Sequence, residues 1–529
     1  MNDTVAANPT FAASAPKIEI RAFRLRCIAN SRNRPNALSN IGDDYWTANL
    51  KGLRNVDLIK VVLWVLPCVI TIVMSAEPNI IYILADDLGY GDLGYGQKVI
   101  KTPQLDRMAS EGMRFTQHYA GSPVCAPSRS VMLTGLHAGR TFVRGNGSIE
   151  LRPDPLDEVF PRALQRAGYS TGMMGKSGLA CNSKDGQLPE KKGFDTFFGF
   201  TSHVNAHWYY PKQLWKNGHR IGYPHNHMHF GNKYSPDLVM TETLQFMEDQ
   251  KDGPFFLHVA FQLPHASLRA KEEWKAKYRP ILKEELLPPK PHPHYSHERE
   301  PKTTYAAMVS QLDHNVGVIL AKLKELKIEK QTLVMFSSDN GAMQEGGHSR
   351  SSFNSSGGLR GGKRDLYEGG VRVPTIAWWP GKIAPGQTSD HLSGFWDISA
   401  TMRELAGAEP QKDTDGISLV PTLLGTGTQK KHAYLYWEFH EDGGKQAVRK
   451  GKWKLIHLGV SEQLRYRTEL YDLDSDPAEK KNLARRHPEI VAELDALMKQ
   501  AHVPSELDRF KFADEISFRE LLERKKVPK

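Results

Sequence analysis

Cysteine is scarce, with four in 529 residues, so no disulfide framework holds this chain together. Long apolar runs are missing too. The main one, Val61–Met74, has 14 residues, short of the ~20 that a bilayer-spanning helix needs, which excludes a polytopic membrane protein. No segment repeats, which excludes solenoids and propellers. A strong charge of one sign is also lacking. Lys+Arg number 70 and Asp+Glu 60, for a net +10, and +4 of it falls within residues 1–76. That excess is too small and too uneven to predict a nucleic-acid partner. What remains is ordinary globular usage, 40% hydrophobic and 25% charged. The length fits two to four domains, or one large α/β core with a smaller unit.

Residues 1–76 read as an address. Lys51, Arg54 and Lys60 precede the apolar segment 61–74, and the small residues Ser75 and Ala76 follow it. A positive flank, a short apolar core and a small-residue exit describe a secretory signal. An exported protein is therefore expected, periplasmic or extracellular, with no stable membrane association after cleavage. Export removes Cys27 and Cys68 and leaves Cys125 and Cys181.

Three segments read as buried strands of a mostly parallel sheet: Asn79–Ala85, Pro254–Phe261 and Thr332–Ser338. Each runs straight into polar residues: Asp86-Asp87, then Gln262 to His265, then Asp339-Asn340. Open α/β sheets place their sites beyond such strand ends. Helices are expected at Leu156–Ala167 and Tyr305–Leu326; in the latter Val309, Leu312, Val316, Ile319 and Leu323 recur every three or four residues. Alternating strands and helices predict an α/β catalytic domain over residues 77–425. His203–His229, Leu287–Pro301 and Met343–Gly362 read as loops. After residue 425, short strands at Ala433–Phe439, Gln446–Arg449, Gly451–Ile456 and Glu469–Leu473 and a helix at Pro488–Ala501 predict a small α+β subdomain over 426–529.

The most informative segment is Cys125-Ala126-Pro127-Ser128-Arg129 with Leu133-Thr134-Gly135. Pro127 suits a first helical turn. Cys125 then sits at a helix N-terminus, where amides and dipole favour an anion. Arg129 lies one turn on. The arrangement describes a polarised nucleophile beside an anion site, or else a buried cysteine before an ordinary helix.

Cys-x-Pro-Ser-Arg followed by Leu-Thr-Gly resembles the signature of the type I sulfatases, and residues 78–485 resemble sulfatases of the arylsulfatase A type. Similar segments are Pro78 to Asp92, Gly168 to Gly172, Leu366 to Pro374 and Glu469 to Leu473. The resemblance implies an alkaline-phosphatase-like fold, with a large central mixed sheet flanked by helices. It also implies oxidation of Cys125 to formylglycine by the producing cell's generating machinery. Asp86, Asp87, Asp339 and Asn340, with the modified Cys125, become the metal ligands. Oxygen ligands imply a hard cation, Ca²⁺ by the resemblance and Mg²⁺ as the second choice. Arg129, Lys176 and Lys363 would hold the sulfuryl oxygens, and His265 would protonate the leaving alcohol. Hydrated formylglycine would attack sulfur with one hydroxyl and expel sulfate with the other, which an unmodified thiol could not do.

One departure stands out. Many relatives carry Gly-Lys-Trp-His-Leu-Gly where this chain has Gly175-Lys176-Ser177-Gly178-Leu179-Ala180. The histidine that contacts formylglycine is absent, and His207 is the expected substitute in the second step. Gly357 to Lys363 imitates a phosphate-binding loop, but Arg364 follows where Ser or Thr is required. The expected activity is hydrolysis of sulfate monoesters, on sulfated carbohydrates or aryl sulfates. Phosphate or phosphonate ester hydrolysis and non-catalytic binding of a sulfated polymer are the alternatives.

Overall fold

The computed structural model describes residues 77–524 apart from 148, 154, 180–188, 289–294 and 463–465. Segment 61–74, expected from sequence to be a signal, and Cys181 lie outside these residues.

The strands, in chain order, are β1 Asn79–Ala85, β2 Met113–Phe115, β3 His118–Tyr119, β4 Ser170–Lys176, β5 Thr196–Phe200 and β6 Gln213–Lys216. They continue as β7 His219–Gly222, β8 Phe255–Ala260, β9 Thr332–Ser338, β10 Thr375–Trp378, β11 Gln387–Ser389 and β12 Ser393–Gly394. Ten of them form one mixed sheet in the order β11-β2-β10-β9-β1-β8-β4-β5-β6-β7. Its centre, β9-β1-β8-β4-β5, is parallel, and β10 and β6 run antiparallel to it.

Both faces of that centre are covered, which explains why its strands are buried almost throughout and read as apolar runs rather than alternating. Along β1, Ile80, Tyr82 and Leu84 enter one core layer. Ile81, Ile83 and Ala85 enter the other. The Cys125–Thr134 helix, buried along its whole length, contributes Val131, Met132 and Leu133 to the first layer. The Pro301–Glu325 helix covers the second with Val309, Leu312, Val316, Ile319 and Leu323, the periodic residues read from sequence. The alkaline-phosphatase-like α/β architecture is therefore present.

A second, antiparallel sheet carries β13 Leu435–Phe439, β14 Lys445–Lys450, β15 Trp453–Leu458 and β16 Arg467–Asp472 in sequential order. The Pro488–Ala501 helix lies on one face through Leu494, Met498 and Ala501. The other face, with Trp437, Phe439, Ala447, Ile456 and Tyr471, joins the large core. Trp437 Nε1 donates to Ala120 O at 2.9 Å. The charged tail after Val503 packs onto the body through buried Phe510 and Phe512.

Several boundaries differ from expectation. The helix expected at Leu156–Ala167 begins only at Phe160 and ends at Arg166, because Pro161 suits a first turn and nothing upstream caps an earlier start. His203–His229 is not all loop: it contains a 3₁₀ turn at Asn205–His207 and the β6–β7 hairpin. Asn217-Gly218, both at positive φ, make a two-residue hairpin turn that the histidine-rich composition masked. Pro301 belongs to the following helix as its first residue rather than to the loop before it.

Candidate active site

Four neighbouring parallel strands, β9, β1, β8 and β4, end at one edge of the sheet. Beyond β9 come Asp339 and Asn340, beyond β1 Asp86 and Asp87, beyond β8 His265. Lys176 is the last residue of β4. Side chains far apart in sequence are thus delivered to one place by strand order alone. Asp86, Asp87, Arg129, Lys176, His265, Asp339 and Asn340 are all at most 1% exposed, and Lys363 is 8% exposed.

The Cys125–Thr134 helix enters from one core layer with Cys125 as its first residue. Cys125 Sγ lies 3.2 Å from Asp86 Oδ1 and 3.9 Å from Asp87 Oδ1. One turn later, Arg129 donates through Nε and Nη2 to Asp339 Oδ2 at 3.0 and 2.8 Å, and through Nη1 to Lys176 O at 2.7 Å. Lys176 Nζ donates to Asp86 Oδ2 at 2.6 Å. Lys363 Nζ donates to Asp87 Oδ2 at 2.7 Å, Glu345 Oε2 at 3.2 Å and His265 Nε2 at 3.0 Å. Asn340 Nδ2 donates to Asp87 Oδ1 at 2.8 Å. Every sequence-predicted residue except His207 therefore sits in one continuous hydrogen-bonded and charged cluster.

The electrostatics follow from burial. Three carboxyls share this buried site with three cations. Burial opposes ionisation of Asp86, but Lys176 and Arg129 overcome it and hold the carboxyl below the usual range. Burial pushes Asp339 up to about 7, helped by the charge of Asp86 and against Arg129. Asp87 is raised by burial despite Lys363, with Asp86 and Glu345 adding to the rise. The Cys125 thiol is pushed well up by burial, then by Asp86. Burial and the surrounding carboxylates thus favour the protonated thiol in the unmodified residue. His265 is held neutral by burial and by Lys363.

His207 takes a different place. Its ring stacks on His265, with centroids 4.3 Å apart and planes 10° apart. Its Nε2 is buried without a hydrogen-bond partner. His203 stands edge-on to it at 5.3 Å, with Nδ1 3.3 Å from Gly178 O. Three further neighbours of the site escaped sequence reading: His203, Tyr295 and Glu345. The Tyr295 ring lies 5.4 Å from His207 and 5.8 Å from His265. His203 shared the histidine-rich signal of its segment. Glu345 and Tyr295 lie in loops with no periodicity to mark them.

The site holds a set of side chains that could bind a metal ion. Ligand atoms of Asp86, Asp87, Cys125 and His265 lie within 4.8 Å of one another. Asn340 Oδ1, also buried, has no hydrogen-bond partner. A buried amide oxygen without a donor, beside buried carboxyls of which Asp87 and Asp339 resist ionisation, is an environment that a divalent cation would satisfy.

A sulfatase family model matches residues 78–408. A second, described as the C-terminal region of N-sulphoglucosamine sulphohydrolase, matches residues 361–503. N-acetylgalactosamine-6-sulfatase of Rattus norvegicus is 34% identical over 379 residues, covering 66% of this chain and 66% of the rat protein's own length. Human arylsulfatase A is 32% identical over 478 residues, covering 80% of this chain and 87% of the human protein. A solved sulfatase structure from Bacteroides thetaiotaomicron, connected with metabolism of multiple glycosaminoglycans, superposes with a TM-score of 0.65 at 27% identity, covering 80% of this chain and 99% of that one. With the signature cysteine at the head of its helix, and the acidic pairs at adjacent strand ends, this chain belongs to the formylglycine-dependent sulfatase family, a group of sulfuric ester hydrolases, and is of the arylsulfatase A type.

Proposed function

We propose that this protein is exported and hydrolyses sulfate monoesters of carbohydrates, using formylglycine made from Cys125 and assisted by Ca²⁺. One observation carries the reading: a neutral, buried Cys125 lies 3.2 Å from Asp86, in a cluster that also holds Arg129, Lys176, Lys363 and His265. So dense a set of cations around a buried cysteine suits an oxyanion whose charge is spread over several oxygens, as in a sulfate monoester. Asp86, Asp87, Asp339 and Asn340 would hold the cation, which supplies positive charge for the sulfuryl oxygens. Hydrated formylglycine supplies a diol carbon whose two hydroxyls serve attack on sulfur and later release of sulfate.

The chain's own residues do the rest. Arg129 is fixed by Asp339 and by the Lys176 carbonyl, so its charge is pre-oriented towards Cys125. Lys176 and Lys363 exchange part of their contact with Asp86 and Asp87 for the incoming sulfate oxygens. His265 Nδ1 bonds the Ala266 carbonyl, an acceptor, so Nδ1 carries the ring proton and Nε2 has the lone pair. Lys363 N–H donates to that Nε2. His265 and Lys363 thus form one proton-delivering pair: Lys363 Nζ would pass a proton to Nε2 of the neutral ring, Nε2 would hand it to the leaving oxygen, and Lys363 would stay neutral until solvent re-protonates it. Burial, then His265, lowers the pKa of the His207 imidazole and holds it neutral; this weakens it as a base, so its part in the second step rests only on its buried, unpartnered Nε2 and its stacking on His265.

Carbohydrate as substrate is supported by the rat relative, whose name specifies a sulfated sugar. Export is supported by the segment 61–74 with its positive flank and small-residue exit. The generating machinery of the producing cell would act on the nascent chain, since Cys125 is buried once folded. The test is the mass of the tryptic peptide Phe115–Arg129 from active protein, with sulfate release from sulfated sugars measured on the same preparation. An aldehyde at Cys125 accompanied by sulfate release is the expected result. An intact thiol in protein that turns over would overturn the mechanism.

A further inference from the structure

The loop that delivers Lys363 continues into a residue the mechanism leaves unused. Arg364 has φ +72, a left-handed backbone that a non-glycine residue adopts only at a cost. Two bonds hold it there. Arg364 N–H donates to Pro123 O at 2.9 Å, and Lys445 Nζ donates to Arg364 O at 2.6 Å. The conformation aims the guanidinium between two carboxylates that come from different parts of the chain. Nη1 bonds Glu345 Oε1, and Nε lies 3.6 Å from Glu441 Oε2.

This trio adjoins the catalytic pair. The other oxygen of Glu345 accepts from Lys363 Nζ, which itself donates to His265. Glu441 stands on the turn between β13 and β14 of the small sheet. It is tied to the nucleophile's helix: Asn146 N–H donates to Glu441 Oε1 at 3.4 Å, and Ala126 N–H donates to Asn146 Oδ1 at 3.2 Å. The side chains of Arg364 and Glu441 are 36% and 34% exposed, while that of Glu345 is 14% exposed. The inner end of the trio is thus packed against Lys363, and the outer end opens to solvent. A half-open ion pair contributes little to stability, so stability alone is a weak reason for a strained backbone.

From this arrangement we infer that Arg364 and Glu441 select the sugar that carries the sulfate, by hydrogen-bonding adjacent free hydroxyls on its ring. The inference rests on the sulfatase reading. A guanidinium edge offers parallel donors and the neighbouring carboxylate an acceptor, which matches a vicinal diol. The two carboxylates beside it disfavour a uronate or a second sulfate at that position. The favoured substrate class is a singly sulfated neutral sugar with hydroxyls on the leaving-group side.

The experiment compares kcat/KM of the wild-type enzyme, Glu441→Gln, Arg364→Asn and Arg364→Lys. The substrates are the 6-sulfates of galactose, N-acetylgalactosamine and N-acetylglucosamine, and 4-nitrophenyl sulfate, which has no ring hydroxyls. On the best sugar, Glu441→Gln and Arg364→Asn are expected to lose about tenfold or more beyond their loss on the aryl sulfate, chiefly through KM. Arg364→Lys keeps the charge but not the planar fork, so it is expected to lose the sugar preference as well. Asn tolerates the left-handed backbone; if Arg364→Asn fails to fold, Glu441→Gln on its open turn decides alone. Equal losses on both substrate kinds would overturn the inference, as would a wild-type enzyme that cleaves the aryl sulfate and none of the sugars. Protein carrying the aldehyde at Cys125 that cleaves none of the four sinks the sulfatase reading itself.

Discussion

A Cβ placed on Gly178 would lie 2.1 Å from Cδ of Arg129 and 2.8 Å from its Nε. The missing side chain at 178 is therefore a packing requirement: Arg129 occupies the space a side chain would need in order to reach Asp339 and the Lys176 carbonyl. Gly178 also has φ +76, a conformation that disfavours any side chain. Gly178→Ala is expected to displace the guanidinium and lower kcat/KM by about 100-fold, the scale seen when one oxyanion-stabilising donor is lost. Gly178→His, which restores the residue of many relatives, is expected to be no better. Steady-state sulfate release decides: a His variant at or above wild-type activity would show that Arg129 can yield the space at no cost.

Cys125 is expected to be chemically silent when it escapes oxidation. Burial and then Asp86 push its thiol well above the ordinary range, and the thiolate is the reactive form. In protein made without generating machinery, iodoacetamide at pH 8 is expected to leave Cys125 untouched while the chain is folded, and to label it after unfolding in urea. Peptide mass spectrometry reads both states. Rapid labelling of the folded protein would contradict the buried, protonated thiol.

The buried acidic cluster predicts cation-dependent stability. A ligand present at 100 times its Kd stabilises the folded state by about 2.7 kcal/mol. Treatment with EDTA is expected to lower the Tm, and Ca²⁺ is expected to restore it at lower concentration than Mg²⁺, because a cluster of carboxylate and amide oxygens meets the flexible coordination of calcium. A Tm indifferent to EDTA and to both ions would leave the cluster without a cation.

The C-terminal segment carries its own pH dependence. His502 Nδ1 bonds Glu438 Oε2 at 2.7 Å and its Nε2 bonds Glu515 Oε1 at 3.1 Å. Burial opposes charge on the ring, but the two carboxylates overcome it and raise the pKa to about 9. A group whose folded pKa exceeds its unfolded value stabilises fully below the unfolded value, here ~6.5, and loses that contribution as pH climbs through 9. The effect, reduced for solvent screening, is about 2 kcal/mol. Urea midpoints measured from pH 6 to 9.5 are expected to fall for the wild type and to fall less for His502→Gln. Parallel profiles would remove His502 as the source.

Much of the site was legible because chemistry-bearing residues stood at recognisable places. The apolar runs leading to Asp86-Asp87 and Asp339-Asn340 placed four candidate ligands at strand ends, since a strand covered on both faces carries apolar residues on both. Pro127 and the apolar residues after it placed Cys125 at the head of a helix. The β6–β7 hairpin went unread because its two strands are short and half-polar, and at the end of the sheet they lack two buried faces to impose a pattern.

What the chain determined by itself was local: which segments are buried, where they end in polar residues, and which cysteine heads a helix. Tertiary structure alone decided how those ends meet. The order β9-β1-β8-β4 brings Asp339, Asp86, His265 and Lys176 to one edge of the sheet. It buried Cys125 3.2 Å from Asp86 and keeps the unmodified thiol protonated, because burial and neighbouring carboxylates depend on residues distant in sequence. It set His207 against His265, Gly178 against Arg129, and Glu441 of the small sheet beside Arg364. Periodicity and motif spacing report interactions within one segment; packing and electrostatics depend on distances between segments, and only the closed fold sets those.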